Sequence, residues 1–213
     1  MLKQKILVTT GSTWVSIDKV RVMTNIFGGR TGYEIACYAA ALGHNVTLLM
    51  GPCRFSINKN TNVKIRHFKY FDELYALMKE ELTNKKYDIV IHSAAVSDFK
   101  PVKTHKTKLS SDINKLNIEF KPTQKIVNRI KKWNSSVLLV KFKLEVNVST
   151  KRLFQISYNS LKKSNADFVV ANKLEGMFAN NHVAYIIDKN RNILKVKNHS
   201  ELSKKLIEIC TIK

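Results

Sequence analysis

Four short segments carry residue types that could do chemistry. The first is a set of glycines. Gly11 follows the β-branched run from Lys5 to Thr10, and Gly28, Gly29 and Gly32 precede the Ala-rich run from Tyr33 to Leu42. Glycines let backbone N–H groups approach phosphate oxygens, and a helix N-terminus adds a favourable dipole. The set therefore suits a polyphosphate. The cluster lies well beyond the first run instead of directly after it, so it is no GxGxxG fingerprint. No Gly-Lys-Ser/Thr is present, so it is no Walker A loop either.

The second segment is Ala94-Ala95-Val96-Ser97-Asp98-Phe99. Small alanines leave room for a ligand beside backbone amides, and Asp98 can accept hydrogen bonds from a substrate amide or hydroxyl. The third is Lys108 in Lys108-Leu109-Ser110-Ser111, a lysine that on a mobile loop would neutralise charge developing in group transfer. The fourth is Phe142-Lys143-Leu144-Glu145, whose aromatic ring could stack on a base. Each has a plainer reading: turn glycines, an Asp capping a turn, a surface lysine and a core phenylalanine. By spacing alone Lys108 has no advantage over Lys103 or Lys106. The six histidines show no metal-ligand spacing, so no metal ligand is assigned.

The elements that must position these residues read as alternating strands and helices. Lys5 to Thr10, Asn45 to Met50, Val63 to Phe68 and Asp88 to Ala95 read as strands, with Asn117 to Phe120 as an edge strand. Tyr33 to Leu42, ending at Gly43, and Tyr70 to Thr83 read as helices. Pro122 to Trp133 reads as a helix with proline in its first turn. Ser136 to Phe142 and Ala166 to Ala171 read as strands flanking a helix from about Ser149 to Lys163. Val183 to Asp188 and Ile193 to Val196 form a hairpin, and Ser200 to Cys210 a closing helix with Ser200 as N-cap. This order predicts an α/β fold: a Rossmann-like, mostly parallel sheet with helices on both faces. Ligands of such sheets sit at the carboxyl ends of strands, which draws attention to Gly11, Ala94 to Asp98, Phe142 to Glu145 and Asn172. The polar stretch from Phe99 to Leu116 reads as a flap on a single domain spanning 1–213.

Composition sets limits. The 213 residues, 44% hydrophobic, suffice for one sizeable core. No apolar run approaches the ~20 residues of a membrane-spanning helix. The N-terminus reads as a first strand rather than a signal peptide. Three dispersed cysteines argue against a disulfide scaffold. The cytosol is the expected compartment. Lys and Arg total 37 against 16 Asp and Glu, a formal charge of +21, which attracts polyanions. The basic residues are spread along the chain with no basic arm, zinc-finger spacing or RNP-like motif, so a dedicated nucleic-acid binder is not the first reading.

The order of the motifs says more than any one of them. Ile6 to Thr13, then Ile17 to Asn25, then Gly28-Gly29-Arg30-Thr31-Gly32, resembles the opening of the phosphopantothenoylcysteine synthetase (phosphopantothenate–cysteine ligase) family. Asp88 to Phe99 is similar to that family's central motif. Lys108 to Ser111, Phe142 to Glu145 and Ala166 to Asn172 follow at similar separations. The resemblance covers nearly the whole chain, and it implies a stand-alone synthetase without the flavin-dependent decarboxylase to which many bacterial members are fused. It implies that CTP or ATP, with Mg2+, activates the carboxylate of 4'-phosphopantothenate to an acyl-nucleotide. L-Cysteine then displaces the nucleoside monophosphate.

Carried over by residue, Gly11, Ser12, Gly29 and Gly32 would line the triphosphate, and Phe142 and Asn172 the base and ribose. Asn25, Ala94, Ala95 and Asp98 would hold the phosphopantothenate arm. Arg21 would reach that substrate's phosphate from the neighbouring subunit of a homodimer. Asn25 would also process the acyl-nucleotide, and Lys108 would assist transfer from the flap. A functional link to a separate phosphopantothenoylcysteine decarboxylase is implied; a nucleic-acid or membrane partner is not. The chain departs from the family at Phe27 and Gly28, where small hydroxyl residues are usual, at Ser12, where glycine is common, and at Lys141, where glycine often precedes the phenylalanine. A degenerate nucleotide-binding relative without ligase activity and a basic nucleic-acid-binding module are the alternatives.

Overall fold

The computed structural model describes residues 2–58, 61–176 and 183–212. Its strands begin with β1 (Lys5–Thr10), of which all but Lys5 is buried. Ile6 and Val8 of this strand enter one hydrophobic cluster, and Leu7 enters a second on the opposite face. That is the signature of a strand covered on both sides, and it explains why the run is apolar rather than alternating.

The chain continues through β2 (Trp14–Ser16), β3 (Val22–Thr24), α1 (Arg30–Ala41), β4 (Asn45–Met50), β5 (Val63–His67) and α2 (Phe71–Asn84). Then come β6 (Ile89–His92), β7 (Phe99–Pro101), β8 (Phe120–Pro122), α3 (Val127–Trp133), β9 (Leu138–Glu145) and α4 (Thr150–Ser164). The last elements are β10 (Phe168–Lys173), β11 (Ala184–Asp188), β12 (Ile193–Val196) and α5 (His199–Thr211).

Eight strands form one sheet in the order β12-β11-β10-β9-β6-β1-β4-β5. The six from β10 to β5 run parallel, while β11 and β12 add antiparallel pairings at one edge. Helices α1 and α5 cover one face and α2, α3 and α4 the other. The predicted Rossmann-like α/β architecture is therefore the observed one. Among the described residues no helix is long and apolar enough to cross a membrane.

Several boundaries differ from the sequence reading. Pro122 does not open a helix: it lies in β8, opposite Phe99 of β7. Proline lacks an N–H, which a two-stranded ribbon tolerates at its end. The chain then bonds through Thr123 N–H to the Asp98 carbonyl at 2.8 Å, and the helix starts only at Val127. The expected edge strand from Asn117 shrinks accordingly, with only Phe120 of that span in β8. Strand β9 runs through Glu145 because β10 pairs with it as far as Lys173 opposite Glu145. Phe142 and Asn172 thus sit within strands, not after them.

The β2–β3 ribbon was not legible at all, its strands being three residues each. It is held by partners distant in sequence, such as the Trp14–Tyr70 bridge and the ring contact between the same residues. Between β7 and β8, residues 102–119 adopt no helix or strand.

The closing helix is capped by Asn198, whose side chain accepts from Glu201 N–H at 2.8 Å, and not by Ser200. Asn198→Ala should lower stability by about 1 kcal/mol, and Ser200→Ala should stay within about 0.5 kcal/mol. Urea denaturation of the two variants checks this, and the reverse order would restore Ser200 as the cap.

Candidate active site

Strand order reverses between β1 and β6, the place where open α/β sheets leave a crevice beyond their carboxyl ends. The two chains stay paired one step past the strands. Ala95 N–H donates to the Gly11 carbonyl at 2.9 Å and Thr13 N–H to the Ala95 carbonyl at 3.2 Å.

Helix α1 starts against this point. Its N-cap, Gly29, is left-handed at φ 85°. A Cβ on Gly29 would lie 2.6 Å from the Gly11 nitrogen, and one on Gly32 would lie 2.3 Å from Ser93 Oγ and 2.6 Å from Thr10 Oγ1. Only glycine at both positions lets the helix end press onto the tips of β1 and β6. Thr10 fastens the joint by donating its hydroxyl to the Gly29 carbonyl at 2.5 Å. No side chain caps this helix, and no acidic residue lies in its first turn. Its first N–H groups and the positive end of its dipole are therefore left for an anion.

A cleft opens in front of this helix end. Gly11, Gly29, Gly32, Ala94 and Ala95 line it together with Phe142 and Asn172 from the facing strands. A second chamber adjoins it on the α3–α4 side and shares Phe27, Ala94, Phe142 and Leu144 with the first. Asn25 and Asp98 line that second chamber. Asn25 is oriented by donating its amide to the Ala95 carbonyl at 3.1 Å. Asp98 is exposed and paired with Lys125.

The tertiary structure thus brings together Gly11, Gly29, Gly32, Ala94, Ala95, Phe142, Asn172, Asn25 and Asp98. Ser12 is buried, and its hydroxyl donates to the Phe27 carbonyl at 2.8 Å. It braces the loop that carries Phe27 and Gly28 and lines neither chamber.

Arg21 and Lys108 lie elsewhere, beside each other. Arg21 Nη1 donates to Asp18 Oδ2 at 2.7 Å and to the Leu109 carbonyl at 3.3 Å. Lys108 is exposed next to Leu109. Asp18 is the knot of this region. It accepts from the backbone N–H groups of Val20 at 2.8 Å, Arg21 at 2.6 Å and Leu109 at 3.1 Å. Burial by itself would raise its pKa, but these N–H groups and the Arg21 guanidinium outweigh it and hold the carboxyl at about 2.

Three residues to which the sequence assigned no site role also reach the cleft or the adjoining chamber. His199, at the start of α5, lies 3.3 Å from Thr31 Oγ1 and 3.5 Å from Glu34 Oε2 at the mouth. Nothing in the sequence pairs α5 with α1. Lys141 and His92 line the second chamber from neighbouring, in-register positions of β9 and β6. A signal did exist for Lys141: it is a charge inside the otherwise apolar run Val137 to Phe142. Among the described residues no group of three His, Cys, Asp or Glu side chains is placed to hold a metal ion.

Fold and cleft together define a doubly wound α/β protein with an anion-ready helix end at its switch point. Comparison with known proteins makes this specific. The model of the DNA/pantothenate metabolism flavoprotein C-terminal domain family matches residues 1–212, and the chain belongs to that family. The crystal structure of the DNA/pantothenate metabolism flavoprotein from Streptococcus pneumoniae is similar at a TM-score of 0.88 with 31% identity, covering 97% of each chain. That of the C-terminal domain of the coenzyme A biosynthesis bifunctional protein CoaBC is similar at a TM-score of 0.79 with 25% identity, covering 98% of this chain and 94% of that one. The CoaBC protein of Borreliella burgdorferi is 33% identical over 211 residues, 97% of this chain and 52% of its own length. The chain thus spans about half the length of the curated relatives it matches.

Two predictions follow from this geometry. Gly29→Ala, which meets both a left-handed φ and the Gly11 backbone, should cost about 1–3 kcal/mol. Gly28→Ala, whose Cβ would meet nothing closer than 3.4 Å, should be near neutral by thermal melting. Asp18 has a folded pKa below its ordinary value, so its contribution is complete above the usual carboxylate range and is lost as pH falls towards about 2. Amide exchange at Leu109 should therefore stay protected at pH 4.5 and lose protection between pH 4 and 2. Loss already at pH 4.5 would contradict the assignment.

Proposed function

We propose that the chain is a ligase of coenzyme A biosynthesis. In this reading the carboxylate of 4'-phosphopantothenate attacks the α-phosphate of CTP or ATP, forming an acyl-nucleotide and releasing pyrophosphate. The amine of L-cysteine then attacks the acyl carbon, an amide bond forms, and the nucleoside monophosphate leaves. The observation that carries the reading is a pair of adjoining chambers that share Phe27, Ala94, Phe142 and Leu144. An uncapped, glycine-lined helix end for a triphosphate adjoins a chamber holding Asn25 and Asp98 for the second reactant. The names of the relatives, coenzyme A biosynthesis proteins, support the pathway.

In this reading each residue takes a role suited to the part of the site it lines. The Gly11, Gly29 and Gly32 backbones and the first turn of α1 receive the triphosphate, with Ser12 fixing the loop shape. Phe142 and Asn172 frame the nucleoside. Ala94 and Ala95 leave space where the reactants meet, and Asn25 and Asp98 hold the acid substrate. The described residues form no carboxylate cage, so Mg2+ fits this site as an ion carried in by the triphosphate. When bound there it shares the charge that develops as pyrophosphate leaves.

We further propose a homodimer in which Arg21 serves the neighbouring subunit's site and the 99–116 flap brings Lys108 to its own. Arg21 lies outside the cleft of its own chain. Val20, Met23 and Ile26 leave apolar surface exposed on the same ribbon and just after it, as an interface would require. The product would be consumed by a phosphopantothenoylcysteine decarboxylase activity in the cytosol.

A pyrophosphate-release assay with phosphopantothenate, cysteine and each nucleotide tests the reading; no release with CTP or ATP would sink it. Asn25→Ala should still release pyrophosphate but stall before amide formation, seen as accumulated acyl-nucleotide by mass spectrometry. Lys108→Ala should slow pyrophosphate release itself by about ten- to a thousandfold.

A further inference from the structure

The face of the sheet towards α3 and α4 holds a polar row inside its hydrophobic layer. Thr9, His92 and Lys141 occupy adjacent, in-register positions of β1, β6 and β9, and all three are at most 7% exposed. His92 and Lys141 line the second chamber, a cavity of about 580 Å³.

Lys141 has no carboxylate partner among the described residues. Its Nζ donates to Ser160 Oγ at 2.7 Å and to the Ser160 carbonyl at 3.2 Å, both neutral acceptors. The charged groups around it are mostly of its own sign. Lys125, in the loop before α3, is already paired with Asp98, and Lys143, on the same strand, with Glu145. Lys163 faces it from α4. Desolvating an unpaired ammonium is expensive, and an apolar side chain of the same length would serve packing better.

His92 adds a donor. Thr9 is fully buried and its hydroxyl oxygen accepts from Ala94 N–H at 3.2 Å. The Thr9 hydroxyl lies 2.9 Å from His92 Nδ1, and where it donates to that nitrogen the imidazole carries its proton on Nε2. Burial, and then the Lys141 charge, push the imidazole down to about 4, so it is neutral at pH 7. In that tautomer its single proton sits on Nε2, which has no protein partner among the described residues.

Building on the ligase reading, we infer that Lys141, with His92 Nε2–H beside it, is a buried binding site for an oxyanion of the reactants. That oxyanion is a phosphoryl group of the nucleotide or the carboxylate of the acid substrate. The anion supplies the countercharge that the fold withholds.

Burial, and then the like charges of Lys143, Lys125 and Lys163, lower the Lys141 pKa to about 8. The ammonium is thus present at pH 7 and lost as pH rises through 8. Affinity for an anion that needs it should fall about tenfold from pH 7 to pH 9.

Calorimetry on the full chain tests this with two probes, inorganic tripolyphosphate and pantothenate, the second offering a carboxylate without phosphate. Lys141→Met should weaken one probe about tenfold at pH 7 and flatten its pH profile. Lys163→Met removes the same charge from an exposed position and should change affinity less than about threefold. Weakening of tripolyphosphate assigns a phosphoryl site; weakening of pantothenate assigns a carboxylate site. Equal effects of the two lysine variants, or no effect on either probe, would overturn the inference. Should Lys141→Met fail to fold, the wild-type profiles decide, and profiles flat from pH 7 to 9 for both probes refute it. These readouts need no turnover, so they are separable from failure of the ligase reading in the pyrophosphate assay.

Discussion

The arrangement of the cleft depends on one contact: the end of α1 pressed against the tips of β1 and β6. Gly29 and Gly32 permit an approach that any Cβ would block, and Thr10 ties the Gly29 carbonyl down. The closeness has an electrostatic result. Helix N–H groups that a longer linker would leave in solvent are instead held at the switch point, beside the alanines that follow β6. The cap is a glycine without a side-chain acceptor, so nothing internal competes for those donors. A binding end is made by leaving a helix unfinished.

Around this point the chain divides its polar residues by depth. The rim residues Asp98 and Lys125 satisfy each other in solvent, where such a pair contributes little to stability. Deeper in, Asn25 is oriented by a backbone carbonyl, and Ser12 supports the loop from below. Deepest are Thr9, His92 and Lys141, where low dielectric makes every interaction stronger and every vacancy more expensive. The strong net charge of the chain is thus not uniform decoration. Most lysines are solvated, but Lys141 is held inside a strand, where its charge affects whatever enters.

The ribbon formed by β2 and β3 is organised differently. One carboxylate, Asp18, gathers three backbone N–H groups and a guanidinium from residues up to 91 positions away. Through it the irregular segment 102–119 is moored to the ribbon. Arg21 and Lys108 consequently belong to one surface rather than to the cleft, and any role they have in catalysis requires that surface to approach a site.

Much of this protein could be read in its sequence. Runs such as Ile6 to Val8 and Val90 to Ile91 declare strands buried on both faces, and their alternation with helical segments dictates a parallel sheet, because parallel strands need crossovers. Motif order singled out Gly11, Gly29, Ala94 and Asn172, and the structure brings these four to one cleft. What sequence alone left undetermined depends on partners far along the chain. The strand containing Phe142 extends to Glu145 only because β10 lies beside it. Pro122 belongs to a ribbon only because Phe99 is opposite. The depth of Lys141, the proton on His92 and the grouping of Arg21 with Lys108 exist only once the sheet is assembled. Local pattern decides which residues avoid water; the tertiary structure alone decides which charges must do so without a partner.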